Sequence, residues 1–201
     1  MKKLESSLLN MILVLTGVAV IMGGILAGVN QLTSGPIEKQ KEKALADGIR
    51  TVMGTNEMEV MLTDTVDGFV VYRIVDTSKH SIGAAVESST MGFGGALKIL
   101  VGFNPSGDIL GYTLLEHAET PGLGAKADKW FQKGEKGDII GKNPQEALTV
   151  TKDGGQVDAI TASTITSRAF LLAVNNAYKA FTNAAADVET GASIQVKRME
   201  E

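Results

Sequence analysis

An uninterrupted apolar segment near the start of the chain constrains its fold more than any other feature. Residues 8–29 read LLNMILVLTGVAVIMGGILAGV and include no charged side chain. A helix rises about 1.5 Å per residue, so this segment matches the bilayer hydrocarbon core, which is about 30 Å thick. A cleaved signal peptide would have a shorter apolar region, and a buried core helix would show amphipathic periodicity. We therefore predict an uncleaved transmembrane helix over residues 8–29.

The charges that flank this segment do not fix the direction in which it crosses the membrane. Lys2 and Lys3 precede it, and three more lysines follow within residues 38–43, interleaved with two glutamates. Because lysine and arginine favour the cytoplasmic side, the two clusters oppose each other. Charge counting leaves both orientations open.

The composition of the chain excludes several classes of function. Its 201 residues carry a formal net charge of −4, with no broad basic surface and no zinc-finger or RNA-recognition signature, so we expect no nucleic-acid partner. Without cysteine, the chain has no thiolate nucleophile and no cysteine-ligated iron–sulfur cluster, so any redox chemistry needs another cofactor. A hydrolase is disfavoured because the chain lacks a G-x-S-x-G elbow and has two histidines to serve as a base.

Beyond the apolar segment, the hydrophobic pattern predicts a stalk and then one α+β domain. Residues 30–36 form a polar exit, and residues 37–53 have the apolar spacing of a helix. Strand-like runs follow at residues 69–75, 82–88 and 97–103. The turn Asn104-Pro105-Ser106-Gly107 then predicts a hairpin with a partner strand at residues 108–116.

These patterns divide the chain into five parts. We predict a cytoplasmic tail, a transmembrane helix, a stalk with an entering helix, a domain, and a loose polar tail, at residues 1–7, 8–29, 30–60, 61–186 and 187–201. The glycine-rich stretch GFGGA at residues 92–96 lacks the Lys-Ser/Thr ending of a P-loop and is a poor nucleotide fingerprint.

Residues 158–168, DAITASTITSR, carry five hydroxyl side chains directly ahead of a predicted amphipathic helix. One apolar stripe defines that helix over residues 167–181: Phe170, Ala173, Val174, Ala177, Tyr178 and Phe181. The backbone N–H groups and the positive dipole end at a helix start favour an anion such as phosphate. A simple N-cap at Thr164 or Thr166 is the alternative, although one cap does not account for five hydroxyls.

A second candidate segment, EHAETPGLGAK, occupies residues 116–126 at the end of a predicted strand. Its proline and two glycines let the backbone approach a flat ligand closely. Glu116, His117 and Glu119 carry side chains that could bind a metal, but the chain has one other histidine, His80. We therefore favour an ordered irregular loop over a metal site.

Residues 158–166 resemble the flavinylation motif of FMN-binding domain proteins, an Asp followed by Ser/Thr-Gly-Ala-Thr/Ser-x-Thr/Ser. In that family the last hydroxyl residue is joined to FMN through a phosphoester, which implies that Thr166 is the attachment residue. The stretch ETPGLG and the strand–NPSG–strand hairpin also resemble the family, in particular the G subunit of the Rnf-type electron transport complex. The resemblance implies a cofactor site formed by Thr161, Ala162, Ser163, Thr164 and Thr166 together with Glu119, Thr120, Pro121, Gly122, Leu123 and Gly124.

The resemblance also implies a function, a fold and a location. The function is that of an electron-carrier subunit with covalent FMN in a ferredoxin:NAD-type ion-translocating complex, rather than a stand-alone catalyst. The partners are the other Rnf-type subunits, membrane lipid and a flavin transferase that moves FMN from FAD to Thr166. The fold is a curved antiparallel sheet with packed helices, the last of which carries Thr166 at or just before its start. The N-terminus lies on the cytoplasmic side of the cytoplasmic membrane, and the domain lies on the periplasmic or extracellular side.

Two residues depart from the family pattern. Ala162 and Ser163 stand where the motif has glycine and alanine. Because glycine adopts positive φ without strain, Ala162 implies that this turn avoids strained dihedrals or is recognised less efficiently. The alternative function is a cofactor-free, membrane-anchored binding or assembly subunit, in which the hydroxyl cluster caps a helix.

Overall fold

A computed structural model of the chain describes residues 8–55 and 57–190. Residue contacts divide the chain into two compact units, with the boundary between Ala44 and Leu45. The predicted cytoplasmic tail at residues 1–7 and the last part of the predicted polar tail, residues 191–201, lie outside the described residues. Residues 187–190 belong to the last helix that the structure describes.

One long helix, α1 (Leu8–Met53), includes the whole predicted transmembrane segment. Within the described part of the chain it is the one helix long and apolar enough to cross a membrane, and no residue of its most apolar window is buried. Apolar side chains exposed along such a length are unfavourable in water and favourable in lipid. Within residues 8–44, the first unit is therefore a helix whose length and composition suit a membrane.

The helix α1 continues through residues 30–36, where the sequence suggested a polar exit. Its hydroxyl side chains bond to the preceding turn: Thr33 Oγ1 donates to the Val29 carbonyl at 2.8 Å and Ser34 Oγ to the Gln31 carbonyl at 3.1 Å. These bonds satisfy the hydroxyls within the helix. Pro36 also lies inside α1, although proline removes one helical N–H donor.

The second unit is an α+β domain built on a five-stranded antiparallel sheet, and this confirms the predicted fold class. The strands lie in the sheet in sequence order, so each strand pairs with the next one along the chain. They are β1 (Glu59–Val66), β2 (Phe69–Val75), β3 (Ser81–Met91), β4 (Ala96–Phe103) and β5 (Ile109–His117). The hairpin of β4 and β5 is confirmed, and the Asn104 side-chain oxygen holds its turn by accepting the N–H groups of Ser106 and Asp108, each at 2.9 Å.

Strand β1 was not predicted from the sequence. A two-residue turn joins it to β2, and both turn residues have positive φ, 52° at Asp67 and 83° at Gly68. An Asp-Gly pair is a strong sequence signal for a tight β-hairpin. The pair Asp67-Gly68 directly before the run at residues 69–75 was therefore the signal that could have revealed this strand.

Alternate residues of the sheet pack against helices on its two faces. One face contacts the last helix, α3 (Thr164–Thr190), through side chains that include Val86, Ile99 and Val101. On α3, the predicted apolar stripe is confirmed: its six residues are buried or pack against this core. The opposite face packs against the end of α1, in a smaller cluster formed by Ile49, Val52, Met53, Ile74, Ala85 and Leu100.

A long connection between β5 and α3 is held against the domain by Tyr112. The connection contains a short helix, α2 (Ala127–Trp130), and two 3₁₀ turns, Gly124–Lys126 and Thr151–Asp153. The Tyr112 hydroxyl donates to the Ala127 carbonyl at 2.7 Å and accepts the Phe131 N–H at 3.2 Å. Burial raises the pKa of Tyr112, which keeps this hydroxyl protonated as a donor.

Aromatic stacking joins this connection to α3. The rings of Phe131 and Phe170 stack with their centroids 4.3 Å apart, and Tyr112 meets Phe170 edge-on at 4.8 Å. Each pair of this kind contributes about 0.5–1.5 kcal/mol beyond the burial of its area. The connection is thus tied to both the sheet and the last helix.

The chain enters α3 through a residue in the left-handed region, since Ala162 has φ of 63°. The expectation that this turn avoids strained dihedrals is therefore wrong. The turn keeps the positive φ that the family's glycine would adopt freely, at a cost of about 1–2 kcal/mol for an L-residue.

We expect Ala162→Gly to stabilise the protein by about 0.5–1 kcal/mol. Removing Cβ relieves the left-handed strain in the folded state. The greater conformational freedom of glycine stabilises the unfolded chain by a smaller amount, about 0.4–1 kcal/mol. The free energy of unfolding would be measured by urea denaturation of the detergent-solubilised protein. Ala159→Gly is the control, because Ala159 lacks a positive φ, and it should destabilise. Destabilisation by both substitutions would contradict the assigned strain.

Candidate functional site

A buried carboxylate, that of Glu119, joins three segments of the domain. Glu119 follows β5 and is 5% exposed. Its Oε1 accepts hydrogen bonds from the backbone N–H groups of Phe93 at 2.7 Å and Gly94 at 3.3 Å, in the turn between β3 and β4. Its Oε2 accepts a hydrogen bond from the Thr166 hydroxyl at 2.8 Å, in the first turn of α3. Because burial of a carboxylate is unfavourable unless donors surround it, these three donors make the arrangement stable.

Two glycines leave the space that this carboxylate occupies. A Cβ atom on Gly92 would collide with Oε1 of Glu119. A Cβ atom on Gly124 would collide with Oε2 of Glu119 and approach Thr166 Oγ1 to 2.8 Å. The glycine-rich turn at residues 92–96 therefore encloses Glu119, a role that the sequence analysis did not assign to it.

The hydroxyl cluster at residues 158–168 divides into side chains with different tasks. Thr166 is 1% exposed and contacts Glu119. Ser167 is fully buried, where its Oγ accepts the Ile160 N–H and donates to the Ser163 carbonyl, both at 2.9 Å. Thr164 Oγ1 accepts a hydrogen bond from Lys152 Nζ at 3.1 Å. One of these hydroxyls thus holds the turn together, and two others contact charged side chains.

The position of Thr166 differs by two residues from the sequence expectation. The helix α3 begins at Thr164, and the Ser163 carbonyl accepts the Ser167 N–H at 3.0 Å, so Ser163 is the N-cap residue. Thr166 lies inside the first turn rather than at or before the start. The alternative of an N-cap at Thr164 or Thr166 is wrong for the same reason.

The ion pair between Arg168 and Asp153 positions a third charged side chain, Lys152, beside the start of α3. Arg168 Nε and Nη2 donate to the two carboxylate oxygens of Asp153 at 2.7 and 2.6 Å. These hydrogen bonds lower the pKa of Asp153 below its usual range. The ion pair holds the 3₁₀ turn Thr151–Asp153 against the helix and places Lys152 next to Thr164. The ammonium group and the positive end of the helix both favour an anion at this point.

The two predicted segments line one cavity of about 340 Å³, within the usual size range of small-molecule sites. Its lining residues are Phe93, Glu119, Thr120, Leu123, Gly124, Ala162, Ser163, Thr164, Ile165 and Thr166. Of the predicted site residues, Thr161, Pro121 and Gly122 do not line it, and the last two border a separate depression near Trp130. Phe93 and Ile165 were missed, and a phenylalanine within a glycine-rich turn was the available signal for the first.

The cavity combines an apolar border with an anion-attracting end. Phe93, Leu123 and Ile165 are 69%, 42% and 54% exposed, which is high for apolar side chains that border a cavity. The hydroxyls and the helix start supply the polar end. Lys152 does not line the cavity but bonds to one of these hydroxyls, that of Thr164. This lining suits a ligand that has a flat ring system and a negatively charged group.

The metal site considered at residues 116–119 is not assembled in the described part of the chain. Among residues 8–55 and 57–190, no group of three or more histidine, cysteine, aspartate or glutamate side chains is placed to hold a metal ion. The carboxylate of Glu119 faces its three donors, and His117 Nδ1 accepts the Glu119 N–H at 3.3 Å.

Comparison with known proteins identifies the family. The FMN-binding domain family matches residues 92–179, a range that contains both segments of the cavity. The G subunit of the ion-translocating oxidoreductase complex of Shewanella baltica is 32% identical, over 85% of this chain and 87% of its own length. The corresponding protein of Yersinia pestis is 35% identical over 77% and 80% of the two chains.

A clostridial relative extends the comparison. The G subunit of the proton-translocating ferredoxin:NAD(+) oxidoreductase complex of Clostridium ljungdahlii is 32% identical over 84% of this chain and 88% of its own length. These similarities span most of each protein. The chain belongs to the family of G subunits of ion-translocating oxidoreductase complexes.

Proposed function

We propose that this protein is a membrane-anchored electron-transfer subunit of an ion-translocating oxidoreductase complex and that it carries FMN as a phosphoester of Thr166. The observation that carries the proposal is the Thr166 hydroxyl, which lines the cavity and donates to Glu119 within the segment matched by the FMN-binding domain. The relatives are named as subunits of such complexes, one of them a ferredoxin:NAD(+) oxidoreductase. Its partners are accordingly the other subunits of the complex.

The residues around the cavity fit FMN. Phe93, Leu123 and Ile165 offer apolar contact to a planar ring, and Lys152 with the N–H groups of the first turn of α3 offers favourable charge to a phosphate. Bound FMN supplies the electron-carrying chemistry, while the chain supplies attachment, orientation and environment. Thr166 serves as a tether, since a threonine oxygen has no redox chemistry of its own.

The covalent bond matters most if the domain lies outside the cytoplasm. We propose that α1 crosses the cytoplasmic membrane once, with its N-terminus inside and the domain on the periplasmic or extracellular side, in contact with lipid along the exposed apolar residues of α1. A flavin that dissociated there would be diluted, whereas a tether keeps its effective concentration high. We also propose that a flavin transferase attaches the cofactor by moving FMN from FAD to Thr166.

Thr166→Ala is expected to abolish covalent flavin completely, because it removes the acceptor oxygen. The full chain would be co-expressed with a flavin transferase and assayed by ultraviolet fluorescence of the denatured gel band and by intact mass. The wild-type protein should gain the mass of FMN less water, on the peptide that contains residues 158–168.

A matched control for this variant lies on the same helix. Thr182→Ala removes an exposed hydroxyl that donates to the Lys179 carbonyl, away from the cavity, and should keep the fluorescence. Fluorescence retained by Thr166→Ala would exclude this attachment residue. A wild-type protein without flavin would favour the cofactor-free assembly subunit.

An alkaline phosphatase fused after Glu201 is expected to be active in intact bacteria. This enzyme needs an oxidising compartment for its disulfides, so its activity reports a domain outside the cytoplasm. The control fusion lacks residues 8–29 and should be inactive. An inactive fusion of the full chain, present in membranes at the same level, would place the domain inside.

A further inference from the structure

We propose that Glu119 is the general base that takes the proton of Thr166 when the phosphoester forms. The inference rests on the proposed attachment at Thr166 and adds a catalytic task to this chain. The acceptor protein would then supply part of the machinery for its own modification, alongside the transferase that delivers the flavin.

The distance and direction of one hydrogen bond support this assignment. Thr166 Oγ1 and Glu119 Oε2 are 2.8 Å apart, within the reach of about 2.6–3.2 Å that a general base requires. Three donors surround the carboxylate, and a carboxylate in its ionised form can only accept. The hydroxyl proton therefore points to Oε2, and the lone pairs of Oγ1 remain for a bond to phosphorus.

The two carboxylate oxygens have separate partners. The N–H groups of Phe93 and Gly94 bond to Oε1, which leaves Oε2 for Thr166. Gly92 and Gly124 leave space for the carboxylate, and a Cβ atom at either position would displace it. A base held in this way needs little reorganisation before it accepts a proton.

The chemistry of a threonine hydroxyl calls for such a group. An alcohol is a weak nucleophile until an adjacent base removes its proton. Of the other charged side chains near the start of α3, Lys152 donates to Thr164 rather than to Thr166, and Arg168 pairs with Asp153. The hydroxyl in contact with the buried carboxylate is also the one that the family motif assigns to the flavin.

The step balances without any change of oxidation state. Thr166 Oγ forms a bond to the phosphorus on the FMN side of FAD, and the bond from that phosphorus to the bridging oxygen breaks. AMP leaves with the bridging oxygen, and the hydroxyl proton passes to Glu119 and then to solvent. The ester oxygen that results has no proton, so Glu119 afterwards keeps only its two backbone donors.

A kinetic experiment with Glu119→Gln tests the proposal. The full chain in detergent is mixed with a bacterial flavin transferase, FAD and Mg²⁺, and labelling of the Thr166 peptide is followed by mass spectrometry at several transferase concentrations. Glutamine keeps the size of the side chain and an oxygen for the N–H groups, but it is not a base at neutral pH. The maximal labelling rate should fall by about 100-fold or more, with the half-saturating transferase concentration unchanged.

The controls separate this proposal from the proposed function. Glu116→Gln, on β5 and exposed, should label at the wild-type rate, and Thr166→Ala should not label. A wild-type protein that is unlabelled, or labelled elsewhere, would overturn the proposed attachment itself. A wild-type protein labelled at Thr166 together with Glu119→Gln labelled at the same maximal rate would overturn the role of Glu119 alone.

A purely structural role for Glu119 predicts a different result. It would raise the half-saturating transferase concentration and leave the maximal rate unchanged, and this outcome would also overturn the proposal. If Glu119→Gln does not fold, as judged by its melting temperature, Glu119→Asp carries the same test. It keeps the charge but withdraws the carboxylate by one methylene, so its maximal rate should fall, and an unchanged rate would overturn the proposal.

Discussion

The hydrogen bonds of one buried carboxylate determine how the rest of this domain forms a site. Glu119 is 26 residues from Phe93 and 47 residues from Thr166 along the chain, yet it bonds to both. A buried carboxylate without donors would cost several kcal/mol, so Glu119 is stable only where the β3–β4 turn and the first turn of α3 both reach it. Folding and assembly of the site are therefore one event, and a change that loosens either turn also exposes the carboxylate.

The first turn of α3 is fixed from several directions, as the proposed attachment of a cofactor at Thr166 would require. Ser167 bonds to the backbone on its N-terminal side, Arg168 pairs with Asp153, and Phe170 stacks on Phe131 in the core. Thr166 lies among these contacts and can reorient little. The strained φ of Ala162 belongs to the same arrangement, because surrounding contacts must hold a residue in the left-handed region.

The sequence predicted those parts of the structure that depend on local periodicity. The apolar stripe of α3 and the hairpin at Asn104 were predicted correctly because helical spacing, strand alternation and turn residues are visible within a short window. Strand β1 was missed because it is largely exposed and lacks a continuous apolar run. The environment of Glu119 could not be read from its neighbours, since its partners come from segments far away in the chain; the residues at 116–119 suggested a loop or, less strongly, a metal site.

The exposure of the cavity border explains why the proposed covalent bond suits an open site. Phe93 and Ile165 keep more than half of their surface in water, so a ring bound against them would be covered on one side and would gain limited affinity from burial. The proposed tether at Thr166 would remove the need for high affinity. It allows the border to stay open, and an open border leaves a bound flavin within reach of another subunit for electron transfer. A deeper pocket would bind the flavin more tightly without a tether, but it would also place more protein between the flavin and its partners.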